Sequence, residues 1–162
     1  MKKIICFALI LSATLALIAC SRKGEYRNDI SCSELLDEAE AQIPVDMGYE
    51  SLGKDHIKYN FGNTELDDDH AFRHSVASED INEIGIFHAP DGEARDELQE
   101  LTENYLRGLL EEKGAFIASY APKELEKLEN AEVKTFGNYV AYAVLSKDER
   151  ILFFDTVEKL LR

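Results

Sequence analysis

The chain has 162 residues with 32 acidic against 18 basic side chains, a formal charge of −14. Such a surface repels nucleic-acid phosphates and anionic lipid head groups, so nucleic acid is excluded as a partner and charge cannot hold the chain to a membrane. Only three cysteines are present, two of them within the first 20 residues, which excludes a disulfide framework.

Residues 1–19 read as a lipoprotein signal peptide. Met1-Lys2-Lys3 is basic, Ile4 to Ala19 is apolar apart from Ser12 and Thr14, and Leu17-Ile18-Ala19-Cys20 closes the run with a small residue before a cysteine. The run is shorter than the roughly 20 apolar residues of a membrane span, and it ends abruptly at Ser21-Arg22-Lys23. Leu17 to Cys20 resembles a lipobox. The resemblance implies lipid attachment at Cys20, palmitate among the acyl chains, and removal of the peptide before it. A diacylglyceryl group carries two chains, enough to anchor a protein stably. The expected location is extracytoplasmic and lipid-anchored at the cell membrane. The mature chain, Cys20 to Arg162, would carry 16 basic against 32 acidic residues, or −16.

Residues 20–30 form the anchor and a polar tether, with a typical reach of roughly 18 Å. Residues 31–162 read as a single domain. Ser31-Cys32-Ser33-Glu34 has the form of a capping box, and Leu35, Leu36, Ala39 and Ile43 follow on one helical face until Pro44. Cys32 remains the lone thiol of the mature domain. A first-turn position would favour a thiolate, but no histidine is near in sequence, and a partly buried packing residue is the preferred reading. Residues 45 to 69 read as loops with one short helix near His56 to Asn60. The cluster Asp67-Asp68-Asp69 lacks calcium-loop spacing.

From His70 the pattern has period two. Phe72 and His74 alternate with Arg73 and Ser75, Ser78-Glu79-Asp80 is a turn, and Ile84, Ile86 and His88 alternate with Gly85 and Phe87, which predicts a β-hairpin. Pro90-Asp91-Gly92 starts a helix in which Ala94, Leu98, Leu101, Tyr105 and Leu109 share a face, running to about Ser119 despite Gly108 and Gly114. Pro122 opens a shorter helix with Leu125 and Leu128. Val133 to Phe136, Gly137-Asn138 and Tyr139 to Val144 predict a second hairpin with a two-residue turn. Tyr139 and Tyr142 fall on opposite strand faces, so at least one is expected to be exposed. Ser146-Lys147-Asp148-Glu149 is a capping box before a last helix bearing Ile151, Phe154, Val157, Leu160 and Leu161. The expected fold class is α+β: a four-stranded antiparallel sheet from two hairpins, with helices packed on one face.

From Ala77 to the C-terminus the chain resembles a known family. Ala77 to Phe87, Ser119 to Glu124, Leu128 to Ala131 and Lys134 to Val140 carry the resemblance. The family is an uncharacterised bacterial lipoprotein group, domain of unknown function 4358. It implies an extracytoplasmic α+β lipoprotein and supplies no catalytic residues.

Three histidines offer the only candidate chemistry. If the first hairpin turns about Glu79, His70 faces His88 across the strands, with His74 two positions along and Asp69 nearby, a set able to hold zinc or copper. The spacing matches no metal signature, and a one-residue slip in register would separate the set. No G-x-S-x-G elbow, P-loop or H-E-x-x-H is present. The expectation is a non-enzymatic binding or interaction module without a cofactor, catalytic set or metal. Its partners would be the membrane through its lipid and another envelope protein or cell-wall component. A metal-binding protein or metal-dependent enzyme using the first-hairpin histidines is the alternative.

Overall fold

A computed structural model of the chain describes residues 26–44, 50–51, 60–61, 69–77 and 80–162. The signal peptide, Cys20, most of the tether and the short helix expected near His56 to Asn60 lie outside the described residues, apart from Asn60 itself. In chain order the described elements are α1 (Cys32–Glu40), β1 (Glu50–Ser51), β2 (His70–His74), β3 (Glu83–His88), α2 (Gly92–Tyr120), α3 (Pro122–Glu129), β4 (Glu132–Phe136), β5 (Tyr139–Val144) and α4 (Lys147–Leu161). Among these residues, no helix is long and apolar enough to cross a membrane.

Local signals set most boundaries. The Ser31 hydroxyl accepts from the Glu34 amide and caps α1. Asp91 accepts from the amides of Glu93 and Ala94 to start α2. The Ser146 box is closed reciprocally, with Glu149 Oε2 accepting from the Ser146 amide at 3.1 Å. In the second hairpin only Gly137 has positive φ, at +61°. A positive φ confined to the first central residue is the pattern of a type II′ turn, which suits the twist of the flanking strands.

The sheet is antiparallel throughout, in the order β1-β2-β3-β5-β4. The two expected hairpins supply four strands, and the two-residue β1 adds an edge beyond β2. The α+β class and the hairpins therefore stand, but the helices cover both faces of the sheet rather than one. On the first face, α1 and α4 pack over Ala71, Ile84, Ile86, Tyr139, Ala141 and Ala143. On the second, α2 and α3 pack over Phe72, Phe87, Val140, Tyr142 and Val144. The central strand β5 is buried at every position, which explains its unbroken apolar run. Tyr139 and Tyr142 do fall on opposite faces, yet both are fully buried.

Each buried tyrosine hydroxyl has a partner. Tyr139 donates to the Ile30 carbonyl at 2.6 Å and accepts from the Ile30 amide at 3.2 Å, tying the segment before α1 to the sheet. The same segment is held at its start by the Arg27 amide, which donates to the Leu161 carbonyl at the end of α4. Tyr142 reaches the second face, where the functional candidates lie.

Candidate functional site

The first hairpin pairs His70 with Phe87 and His74 with Glu83. Its midpoint thus falls between positions 78 and 79, not on Glu79. Side chains alternate with period two, so this half-step of the midpoint moves His88 to the opposite face. His70 and His74 lie on the α2 face with Phe72. His88 lies on the α1 face, its ring 4.7 Å from that of Tyr139 and its Nε2 2.8 Å from Asn28 Oδ1. The expected cross-strand pairing of His70 with His88 is overturned, and the three imidazoles do not converge. Asp69 is engaged elsewhere: its carboxylate accepts from the Cys32 amide and its carbonyl from the Cys32 thiol. Among the described residues, no group of three His, Cys, Asp or Glu side chains is arranged to hold a metal.

Cys32 is fully buried in the first turn of α1. Burial and the neighbouring Asp69 charge push its thiol far above the ordinary range, so it is held protonated. The packing reading of this residue therefore stands against the thiolate one.

The second face carries a cleft of about 630 Å³ between α2 and the ends of β2 and β3. One face of α2 forms its wall, presenting Leu101, Tyr105, Gly108 and Glu112 at successive four-, three- and four-residue steps. His74 and Glu83 enter from the paired strands. A hollow of about 170 Å³ shares His74, Glu83, Leu109 and Lys113 with it and continues toward the turn of the hairpin.

Glu83 is the unusual member. It is only 9% exposed. The Tyr142 hydroxyl donates to Oε1 at 2.5 Å, and the Tyr105 hydroxyl donates to Oε1 at 2.8 Å and lies 3.1 Å from Oε2. Burial and the adjacent Glu83 charge raise both phenols well above their ordinary range, so each keeps its proton and remains a donor. Glu83 forms no ion pair with any described residue. Buried charges are ordinarily paired with an opposite charge or a metal. Here two neutral hydroxyls hold the carboxylate, and no cation among the described residues answers it.

Tyr105 and Tyr142 belong to a ring cluster with Phe61, Phe72 and Phe87; the Phe61 and Tyr105 centroids are 4.7 Å apart. Gly85 makes this packing possible. A Cβ there would lie 2.3 Å from Tyr142 Cε1 and 2.6 Å from Phe72 Cδ1. Gly108 is different: a Cβ would meet no described atom within 4 Å. Glycine in a helix interior costs about 1 kcal/mol relative to alanine, and no packing contact among the described residues requires it here. Its effect is to keep the cleft wall low.

Other polar groups close on themselves. Lys127 Nζ donates to Asp80, Asn82 and Glu124 at 3.2, 2.8 and 2.8 Å, fastening α3 to the hairpin turn. Burial works to lower the Lys127 pKa, but the bonds and charges of Glu124 and Asp80 win and raise it. Burial likewise works to raise Asp80, but the Asn82 amide and Lys127 hold it below the usual carboxylate range. A hollow of about 200 Å³ between α3 and α4 is walled by Lys123, Lys127, Lys147 and Arg150. Its two inner cations are already answered, Lys127 as above and Arg150 by Glu132 at 2.6 Å.

The fold and cleft thus define an α+β domain whose antiparallel sheet carries helices on both faces and a polar cleft along one of them. A family model described as domain of unknown function (DUF4358) matches residues 45–145. The match covers more than half of the chain, and the chain belongs to this family. No curated protein and no solved structure matches it.

The cluster of Glu83, Tyr105 and Tyr142 did not emerge from the sequence. Each comes from a different element, and no motif links them. Gly108, out of place in an amphipathic helix, was the one local signal pointing at the cleft.

Proposed function

We propose that this chain is a membrane-anchored extracytoplasmic lipoprotein whose domain is a non-enzymatic binding module, with the cleft along α2 as its ligand-facing surface. The cleft carries the reading: it is a concave surface in which Leu101, Tyr105 and Leu109 stand among a majority of polar groups able to orient a ligand. Its central acid is held by hydroxyls that keep their protons, an arrangement suited to recognition more than to proton transfer. The anchor half rests on the charged, apolar, small-residue order before Cys20. A lipid there would hold an acidic domain within a short tether of the bilayer. The ligand would then come from another envelope protein or from the cell wall. The metal alternative gains nothing from the hairpin, whose register sends His88 away from His70 and His74.

Two experiments test the halves separately. Mass spectrometry of the protein from membranes should show an acylated N-terminal Cys20, whereas an intact Met1 would contradict the anchor. A photo-crosslinking residue at position 108, activated in cells, should give a reproducible adduct with an envelope component. The same probe at exposed Glu126 serves as a control. Equal labelling from both positions would contradict the cleft as binding surface.

A further inference from the structure

We infer that the cleft binds a ligand through a positively charged ammonium group, with Glu83 as its counter-ion; this rests on the cleft being the binding surface. Glu83 lies at the floor, largely buried, with two tyrosine hydroxyls converging on its Oε1, and the described residues offer it no ion pair. Among the described residues its Oε2 receives only the longer of the two Tyr105 contacts, 3.1 Å, and so retains acceptor capacity toward them. A carboxylate with open lone pairs accepts an N–H donor from a cation directly, and such charge-assisted bonds are the stronger ones.

The surroundings select among cations. A metal ion would need several further oxygen or nitrogen ligands converging on it, and no such group of three exists among the described residues. An organic ammonium needs fewer fixed ligands. It also gains from aromatic faces, and Tyr105 stands in the cleft wall beside Glu83. Gly108 leaves room for the carbon skeleton that a bare ion would not require. Two charged residues of α2, Glu112 and Lys113, stand at the exposed rim. Lys113 makes no ion pair with a described residue, and His74 sits opposite Glu83 across the strands, so these are the basic groups among the described residues that could compete for the floor.

The test is a nuclear magnetic resonance titration of the full chain in detergent micelles. The probes are cadaverine for a primary ammonium with N–H donors, choline for a quaternary one that can pair by charge and aromatic contact alone, glucose as a neutral control and calcium chloride as a metal control. The inference expects saturable shifts at Glu83, Tyr105 and Gly108 with at least one ammonium probe, and none with glucose or calcium. Affinity should fall at least tenfold in Glu83→Gln, which keeps the shape and removes the charge. Should that variant fail to fold, Gly108→Phe leaves the carboxylate in place, fills the cleft and should abolish the same shifts. Lys113→Met should bind at least as tightly as the parent. Saturation by glucose or calcium alone, unchanged affinity in Glu83→Gln, or no saturation by either ammonium probe would overturn the inference. Glucose shifts confined to cleft residues would do so while sparing the cleft as binding surface. Failure of the crosslinking experiment would remove that surface whatever the titration gave.

Discussion

The two faces of the sheet are built to different specifications. The face under α1 and α4 is dry: Leu35, Leu36, Phe153, Val157 and Leu161 are fully buried against alanines and isoleucines of the strands. The face under α2 and α3 buries as many aromatic rings but keeps a carboxylate on its floor and a gap in its wall. Both covering helices of the dry face lie outside residues 45–145, and every residue lining the cleft lies inside. The family-matched segment therefore holds the sheet and the cleft, while the flanking helices close the other side. A sheet with both faces covered can assign stability to one and recognition to the other, because alternate residues of one strand serve each.

Substitutions can break this comparison. Phe153→Ala should cost the most, about 3–5 kcal/mol by chemical unfolding, as for a large side chain removed from a close-packed core. Leu101→Ala in the half-buried cleft wall should cost clearly less, and equal losses would contradict the division. Gly85→Ala comes next, at about 1–3 kcal/mol, because its Cβ would collide with Tyr142 and Phe72. Its tyrosine fluorescence should change with the displaced ring. Tyr142→Phe removes one donor to a buried carboxylate and should cost about 1.5–3 kcal/mol in the same assay. Gly108→Ala should go the other way, stabilising by about 1 kcal/mol in thermal or chemical unfolding, since the cleft has room for a methyl group.

The smallest effect is in pH dependence. Asp80 is depressed in the folded state, so its contribution is full above the unfolded value of about 4 and is lost as pH falls through the lower folded value. Lys127 is raised, so its share is full below about 10.4 and is lost as pH rises through the higher folded value. Between these limits the pair gives no slope. Asp80→Asn should flatten the acid limb of a stability-against-pH curve and leave the neutral region level.

Much of the fold was legible because its signals are local. Ser146 with Glu149, Pro122, and Gly137-Asn138 between β-prone runs each fix a boundary without help from the rest of the chain. Coverage of the second face was legible too, in Tyr139-Val-Ala-Tyr-Ala-Val144, a run with no polar side for solvent. The expectation of an exposed tyrosine overlooked this. The histidine geometry depended on the midpoint of one turn, which composition cannot place to half a residue. The Glu83 cluster was beyond reach because its three members meet only through β3–β5 pairing and the docking of α2.

Equilibrium unfolding of Glu83→Gln at neutral pH tests the central claim most directly. Neutralising a carboxylate without an internal counter-cation weakens its two tyrosine bonds but gives up its desolvation penalty, so the variant should lose no more than Tyr142→Phe does, about 1.5–3 kcal/mol. A loss of about 3–5 kcal/mol, the cost of breaking a buried ion pair, would show that a cation of this chain already answers Glu83 and that the cleft is not waiting for one.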